Sequence, residues 1–313
     1  MKKDKTTAPR PTKIGGQAVF EGVMMRGQSM YALAVRASDG SVAIKKQTLA
    51  KRGKAFGLPL VRGVVMFVDS LVTGTKVIYD SAEMAGLDDL TEENPSKFDK
   101  FLEEKFGDKL FGVVMGVSVV VAMALGIGIF MLLPVFISGL INKLVNGNRF
   151  VLTAIEGVVR IAIFLLYMYL VSRMKEIKRM FMYHGAEHKT INCFEAGAEL
   201  TPENAARHTR LHKRCGTSFL FLVMLISMAF FFLFPVPNLW VRFGTRLLFV
   251  PLIAGISYEV LRLAGNSDSL FVRIVSKPGL WLQKLTTIEP DESMLEIAIA
   301  AMNAVLEDEP EAR

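Results

Sequence analysis

Residues 181–217 hold the groups in this chain that are best suited to chemistry. All four histidines and both cysteines of the protein fall within this stretch. They are His184, His188, His208, His212, Cys193 and Cys215. Imidazole nitrogens and thiolate sulfurs are the ligands that zinc prefers in proteins. The concentration of both kinds of ligand in one short segment therefore predicts a metal site.

The segment contains an H-x-x-E-H pattern that runs from His184 to His188. On a helix, two histidines four residues apart lie on one face and can hold one metal ion, and Glu187 beside them can activate water. The pattern is short and occurs by chance, and Gly185 within it is a poor helix former. A metal site therefore needs further ligands from elsewhere in the chain.

A second group of ligands follows in the same segment. His208 and His212 are four residues apart, and Cys215 follows His212 by three, so these side chains share a helix face. Two such turns that face each other complete a tetrahedral site. The predicted metal ligands are His184, His188, His212 and Cys215, with Glu187 as the general base.

Three interpretations of the segment remain open. The first is a catalytic metal site with an open position for water. The second is a closed structural zinc site made of histidine and cysteine. In the third, the histidines bind no metal and form hydrogen bonds or interface contacts. Glu195 is a further candidate ligand, whereas His208 stands close to Arg207 and Arg210, which is typical of a solvated helix face.

The composition of the whole chain is typical of a membrane protein. Of its 313 residues 51% are hydrophobic and 21% are charged, and the mean hydropathy is +0.37. The apolar residues fall in long blocks, which indicates membrane spans rather than an enlarged core. The net charge of +7 suits cytoplasmic loops beside anionic lipid. Nucleic-acid binding is disfavoured because no basic run is interleaved with exposed aromatic residues.

Four transmembrane helices are predicted from the apolar blocks. They cover residues 111–141, 150–171, 217–240 and 246–263, the last of which is the weakest. Glu156 and Arg160 lie four residues apart in the second span and predict an internal ion pair. A transporter that uses these two charges with Glu259 is another hypothesis, which the lack of internal repeats disfavours.

The remaining residues predict a small α+β part and a C-terminal helix. Residues 31–46 alternate in polarity around an Asp-Gly turn at 39–40 and predict a β-hairpin. The four glycines of residues 15–27 predict unusual backbone or a close approach by another group. Residues 58–77 are too interrupted to span a bilayer and predict an amphipathic or re-entrant helix at the interface. An amphipathic helix near residues 291–306 is predicted to dock onto the soluble part.

Charge in the connections gives the topology its direction. The connection 172–216 carries nine lysines or arginines, whereas the turn 142–149 carries two, so the positive-inside bias puts the histidine segment in the cytoplasm. Four spans then put both termini there, in a multi-pass inner-membrane protein that is mostly α-helical.

The predicted order is a flexible basic tail (1–14), an N-terminal cytoplasmic and interfacial domain (15–110), transmembrane helices 1 and 2 (111–171), a cytoplasmic His/Cys-rich cap (172–216), transmembrane helices 3 and 4 (217–263), and a C-terminal cytoplasmic helix with an acidic tail (264–313).

Four stretches of the chain resemble a known bacterial family. They are GGQAVFEGVMMRG at 15–27, YHGAEHKTINCFEAG at 183–197, RLHKRCGTSFL at 210–220 and PGLWLQKLTTIEPD at 278–291. Together they resemble the YqhQ-like family of membrane proteins, a domain of unknown function labelled as predicted metal-dependent enzymes. The resemblance covers about residues 14–306 and implies a multispan inner-membrane protein with a metal site. Lys213 departs from the family pattern, in which proline is expected.

The leading hypothesis is a membrane-embedded, metal-dependent hydrolase at the cytoplasmic face, with zinc as the expected cofactor. Its partner is the lipid bilayer, and its substrate is a lipid headgroup or a peptide at the membrane surface. Candidate substrate-binding residues are Glu21, Arg26, Lys189 and Arg214. The alternative is a non-enzymatic scaffold or regulatory protein with a structural metal or none. The sequence leaves oligomerisation open.

Overall fold

The computed structural model describes residues 12–50, 54–86, 110–145, 148–234, 236, 238–266 and 269–309. The chain divides into two compact units. The first unit comprises Met1–Leu87, Met168–Ile226 and Phe249–Arg313, and the second comprises Asp88–Tyr167 and Ser227–Leu248. Most of the basic tail predicted at 1–14 and the end of the acidic tail lie outside the described residues.

A four-stranded antiparallel sheet with the order β1-β2-β3-β4 opens the first unit. Its strands are β1 (Gly15–Val19), β2 (Gly22–Arg26), β3 (Met30–Arg36) and β4 (Val42–Thr48). The predicted hairpin is confirmed as β3 and β4, and Gly40 in its turn has a φ of +85°. The glycine-rich stretch also forms a hairpin, β1–β2, with Glu21 in the tight turn at a φ of +50°.

Helices make up most of the remaining described residues. A 3₁₀ turn at Lys54–Gly57 precedes the first helix, and a π-helical turn at Gly128–Leu132 joins the second to the third. The α-helices in the described residues are α1 (Val61–Met84), α2 (Leu110–Ile127), α3 (Leu133–Val145), α4 (Arg149–Val171), α5 (Lys175–Glu195), α6 (Pro202–Ala206), α7 (Gly216–Leu233), α8 (Leu239–Asn266), α9 (Leu270–Thr286) and α10 (Glu292–Asp308).

Both faces of the sheet are covered by helices. Because side chains alternate along a strand, Val23 and Met25 of β2 face α5 and α10, whereas Met24 faces the opposite side. On that side Val77 of α1 completes a smaller apolar cluster. Asp291 caps the start of helix α10, and its carboxylate accepts a hydrogen bond of 3.0 Å from the Met294 amide. The helix that carries the H-x-x-E-H pattern, α5, therefore packs against both the sheet and α10.

Three helical stretches among the described residues are long and apolar enough to cross a membrane. They are Gly116–Asn142, Phe150–Val171 and Gly216–Leu233, and they correspond to three of the predicted spans. The fourth prediction, 246–263, falls within α8, where Arg246, Glu259 and Arg262 interrupt the apolar sequence. The structure therefore supports association with a membrane through three apolar helices.

Buried charge in the second unit surrounds Glu156, which is only 1% exposed. The predicted pair is confirmed, since Arg160 donates to the Glu156 carboxylate across 2.9 Å. Arg246 also pairs with this carboxylate, and Arg242 lies 3.6 Å from it. Pairing offsets the cost of burying these charges among apolar helices. Glu259 is paired differently, with Arg62 of α1 in the first unit.

Candidate metal site

Helix α5 presents the H-x-x-E-H residues to a crowded interior. Gly185 lies against the chain that precedes α10, and a Cβ atom at this position would overlap the carbonyl oxygen of Ile288. The Ile288 amide in turn donates a 2.9 Å hydrogen bond to the carbonyl of Phe181. Gly185 weakens the helix locally but allows this close approach. The glycine that counts against a helix in the sequence is thus explained by tertiary packing.

Three of the predicted ligands converge at the middle of α5. The donor atoms of His184, His188 and Cys215 all lie within 4.8 Å of one another. The two imidazole centroids are 4.4 Å apart, and His184 Nε2 lies 3.2 Å from Cys215 Sγ. A tetrahedral zinc site, with about 2.1 Å to nitrogen and about 2.3 Å to sulfur, separates its donors by roughly 3.6 Å. The group therefore fits a zinc ion after only small movements.

Backbone carbonyls orient both imidazoles. His184 Nδ1 donates to the carbonyl of Thr286 across 2.8 Å, and His188 Nδ1 donates to the carbonyl of Arg210 across 2.6 Å. A histidine that donates from Nδ1 presents the lone pair of Nε2 as a ligand. The Nε2 atoms of both histidines are thereby available on the side of Cys215.

His188 keeps one ring nitrogen unpaired, as a metal ligand requires. Its Nε2 atom is buried and has no hydrogen-bond partner among the described residues. A buried polar atom without a partner costs about 1–3 kcal/mol, so such atoms are rare in native proteins. Burial also lowers the pKa of His188, which keeps the imidazole in the neutral form that binds metals. The residues present therefore fit a metal ion.

Glu187 lies beside this group and is only 4% exposed. Burial raises the pKa of its carboxyl to about 7, against the opposing effects of the His184 imidazole and a backbone hydrogen bond from Gly16. Its Oε2 atom has no hydrogen-bond partner among the described residues. A Cβ atom at Gly16 would lie 2.7 Å from the carboxyl carbon, so glycine is needed there. A carboxyl group that titrates near neutral pH can both accept and donate a proton.

His212, the fourth predicted ligand, adjoins the group without joining it. Its ring centroid is 5.6 Å from that of His188, but its Nε2 atom lies 3.6 Å from a carboxylate oxygen of Glu195. The His212 amide donates to the side chain of Gln283 across 2.8 Å, which fixes the backbone here. Glu195, a further candidate ligand, also accepts from the Thr12 amide across 2.8 Å and pairs with Arg214. His212 and Glu195 thus form a neighbouring polar pair.

The remaining histidine and cysteine of the segment, His208 and Cys193, lie outside this group. The His208 amide donates to the carbonyl of Ala205 across 3.0 Å at the end of α6. Cys193 is a buried free thiol within the apolar core, and burial raises its pKa. Neither residue contributes an atom to the compact donor group.

The substrate-binding candidates on the sheet are engaged in ion pairs. Glu21 pairs with Arg179 and accepts a 3.2 Å hydrogen bond from the hydroxyl of Tyr183. Desolvation of the buried phenol raises the pKa of Tyr183, so this hydroxyl stays protonated and donates. Arg26 lies 2.5 Å from the carboxylate of Asp69 on α1. These contacts fasten the β1–β2 hairpin to α5 and α1.

The other two substrate-binding candidates differ in position. Lys189 is buried, lies 2.5 Å from Glu289 and donates to the carbonyl of Ala206 across 2.7 Å. Arg214 pairs with Glu195 and donates to the carbonyl of Thr12 across 2.7 Å. Of the four candidates, Arg214 is the one that also lines a cavity beside the donor group.

Two cavities open onto the donor group, each with a volume of about 520 Å³. The apolar cavity is walled mainly by side chains of α1, α5 and α7. The polar cavity is lined by Lys13, Arg214 and Arg262 together with the histidines. His184, Glu187 and Cys215 border both cavities. The donor group of His184, His188 and Cys215 therefore lies at the boundary between the apolar cavity and the polar cavity.

Several contributors to the site were not identified from the sequence. Gly16, the carbonyl of Thr286 and the side chain of Gln283 each support a site residue. All three lie in stretches that carry the family resemblance, 15–27 and 278–291. That resemblance was the available signal, but residue type alone gave no reason to connect these stretches with the histidines.

Comparisons with known proteins agree on one family. The sequence model of a family described as "Protein of unknown function (DUF1385)" matches residues 58–308. The chain is 36% identical over 304 residues to "Uncharacterized protein YqhQ" of Bacillus subtilis (strain 168), an alignment that covers 95% of this chain and 93% of the relative. No solved structure matches the chain. Neither description names an activity, a metal or a substrate, so the function must be argued from the geometry.

The packing of Gly185 predicts a specific loss of stability. Gly185→Ala should destabilise the protein by about 2 kcal/mol, because the added methyl group has no room beside the Ile288 carbonyl. Gly15→Ala is the control, since nothing lies within 4 Å of its Cβ position. Thermal unfolding of the detergent-solubilised protein measures both variants. Equal melting temperatures would show that the chain before α10 does not press on α5.

Proposed function

The chain belongs to the DUF1385 family of proteins of unknown function, and from that premise we propose that it is a membrane-bound, metal-dependent hydrolase. One observation carries the proposal: His184, His188 and Cys215 bring their donor atoms within 4.8 Å of one another. Zinc is the proposed cofactor, because two imidazoles and a thiolate suit zinc better than they suit magnesium or calcium.

A bound zinc ion supplies Lewis-acid chemistry, which polarises an ester or phosphoryl oxygen and makes water reactive near neutral pH. His184 and His188 would hold the ion through Nε2, with Nδ1 anchored on backbone carbonyls. Cys215 would bind as the thiolate. Three protein ligands leave one position free, which is typical of catalytic rather than structural zinc sites.

Glu187 is the proposed general base and acid. Its carboxylate takes a proton from the attacking water as the new bond to carbon or phosphorus forms. It then gives that proton to the leaving group as the old bond breaks. A pKa raised to about 7 by burial suits both steps at neutral pH. The same burial limits the contact of this carboxyl with bulk water.

A scaffold or regulatory protein with a structural metal or none is the second candidate. One observation favours it, which is that both ring nitrogens of His184 have protein partners, the carbonyl of Thr286 and the thiol of Cys215. In this alternative the same residues hold α5, α7 and α9 together, and Glu187 has no chemical task.

The proposed topology has four spans, with α8 as the fourth. Helix α8 comprises Leu239–Asn266, which is long enough to cross a bilayer. Its charges oppose insertion, but Arg246 pairs with Glu156 and Glu259 pairs with Arg62. Paired charges that face protein rather than lipid are tolerated in membrane helices. The basic connection 172–216 supports a cytoplasmic site, an inner-membrane location and cytoplasmic termini.

Labelling of single cysteines tests this topology. A cysteine introduced at Asn148, in the turn between the first two spans, should react with a membrane-impermeant maleimide in intact cells. A cysteine introduced at Glu307 on α10 should react only after lysis. Cys193 and Cys215 are both buried, so the native chain gives a low background. The opposite pattern of labelling would contradict the proposed orientation.

Metal content tests the site directly. The purified protein should carry about one zinc ion per chain, and His188→Ala or Cys215→Ala should lower that content at least about tenfold, because each removes a ligand. His208→Ala is the matched control, because His208 lies outside the donor group. Elemental analysis by mass spectrometry provides the measurement. Carefully handled native protein without stoichiometric metal would remove the hydrolase proposal.

Glu187→Gln separates the two candidate functions. The amide cannot act as a base, so hydrolysis of 4-nitrophenyl dodecanoate or of bis(4-nitrophenyl) phosphate should fall at least about 100-fold while zinc content is retained. Glu199→Gln, an exposed change soon after α5, should preserve the rate. A native protein that binds zinc but hydrolyses neither probe, or a Glu187→Gln variant with the native rate, would favour the scaffold instead.

A further inference from the structure

The apolar cavity has the size and walls of a ligand site. Its volume of about 520 Å³ falls within the range of about 300–1,000 Å³ that is typical of ligand pockets. Phe67 and Leu71 of α1, Phe181 of α5, and Phe219 and Leu220 of α7 contribute to the walls. Phe67 and Phe219 contact each other with ring centroids 6.0 Å apart, which defines one side of the chamber. Such walls favour hydrocarbon.

The mouth of the cavity suits a bilayer better than water. Leu71 is 55% exposed and Leu220 is 50% exposed, although both line the cavity. Val68 and Val72 of α1 are 51% and 67% exposed beside them along the helix. Leu220 belongs to the candidate membrane helix Gly216–Leu233, four residues after its start. Exposed apolar side chains on an amphipathic helix and at the start of a candidate membrane helix are typical of the lipid interface.

The lining argues against a peptide in this chamber. A peptide brings a backbone amide and carbonyl with every residue, and each costs free energy when it is buried without a partner. The walls that α1, α5 and α7 provide are largely aliphatic and aromatic. An alkyl chain has no amide or carbonyl groups that need partners.

The polar cavity supplies the other half of an amphiphile site. It shares His184, Glu187 and Cys215 with the apolar cavity and adds basic side chains. Arg214 is neutralised by Glu195. Arg262 lies near Glu259, but that carboxylate already pairs with Arg62, so the exposed Lys13 and Arg262 attract an anion. A molecule that occupies both chambers therefore combines a hydrocarbon chain with an anionic headgroup, and the bond between them lies beside the donor group.

We propose that the apolar cavity binds the hydrocarbon chain of an anionic membrane lipid, which makes such a lipid the substrate of the site. The identification as substrate rests on the proposed hydrolase function, whereas the binding does not. The lipid enters from the bilayer past Leu71 and Leu220, and its headgroup reaches the polar cavity beside Lys13 and Arg262.

Photo-crosslinking of the full chain in detergent tests the binding. The probe is hexadecyl phosphate with a diazirine at the end of its chain. Labelled peptides should come from α1, α5 and α7. Excess unlabelled hexadecyl phosphate should suppress the labelling, whereas butyl phosphate should not, because it lacks the long chain. Labelling confined to α2 and α4, or equal competition by butyl phosphate, would overturn the proposal.

Two adjacent substitutions on α1 sharpen the test. Leu71→Glu puts a charge at the cavity wall and should reduce labelling about tenfold or more, because an alkyl chain does not solvate a carboxylate. Val72→Glu is the control, since Val72 is even more exposed and does not line the cavity, so its labelling should stay within about twofold. Melting curves of both variants check the fold. Equal labelling of the two variants would contradict the assignment.

Metal content keeps the two proposals distinguishable. Leu71→Glu should retain zinc, and His188→Ala should retain hexadecyl phosphate labelling. If the native protein carries no zinc but the labelling pattern holds, the hydrolase fails and the lipid site stands. If zinc is present but labelling is absent from the cavity walls, the lipid assignment fails alone.

Discussion

The close packing of α5 between the sheet and the chain that precedes α10 is the constraint on which the site depends. Two glycines make it possible, because Gly16 leaves room for the Glu187 carboxyl and Gly185 leaves room for the Ile288 carbonyl. With the backbones this close, the carbonyl of Thr286 reaches His184 and fixes its ring. The same packing that buries the helix therefore orients a proposed metal ligand, and no separate device is needed to position it.

This packing leaves polar groups in a costly environment. His188 and Glu187 are both buried, and each keeps one atom without a hydrogen-bond partner among the described residues. By contrast, the buried ammonium group of Lys189 in the same helix donates to the carbonyl of Ala206. The contrast is informative, because native proteins rarely keep unpaired buried groups unless they serve binding or catalysis. Glu187 and His188 both line the polar cavity, where an ion or a substrate would satisfy these atoms.

Apolar helices explain why the site faces two environments. The proposed ligand Cys215 immediately precedes Gly216–Leu233, a helix that is long and apolar enough to cross a membrane. In the proposed topology, a residue at the start of such a helix lies close to the interface, where hydrocarbon and water meet. The apolar and polar cavities meet at that ligand. Under the proposed function, this one position would connect metal chemistry, hydrocarbon binding and charge recognition, as chemistry on a membrane lipid requires.

Local patterns in the sequence determined the β3–β4 hairpin, three apolar helices, the Glu156–Arg160 pair and the shared helix face of His184 and His188, because each depends on residues close together in the chain or on composition. Tertiary structure alone decided the rest. It paired Glu21 with Arg179, placed His212 beside Glu195, folded the glycine-rich stretch into β1–β2 and enclosed the apolar cavity. A charged or polar side chain has many suitable partners, and the partner it meets depends on which distant elements the packing brings together. Periodicity reports which face of an element is buried, but it does not report what that face is buried against.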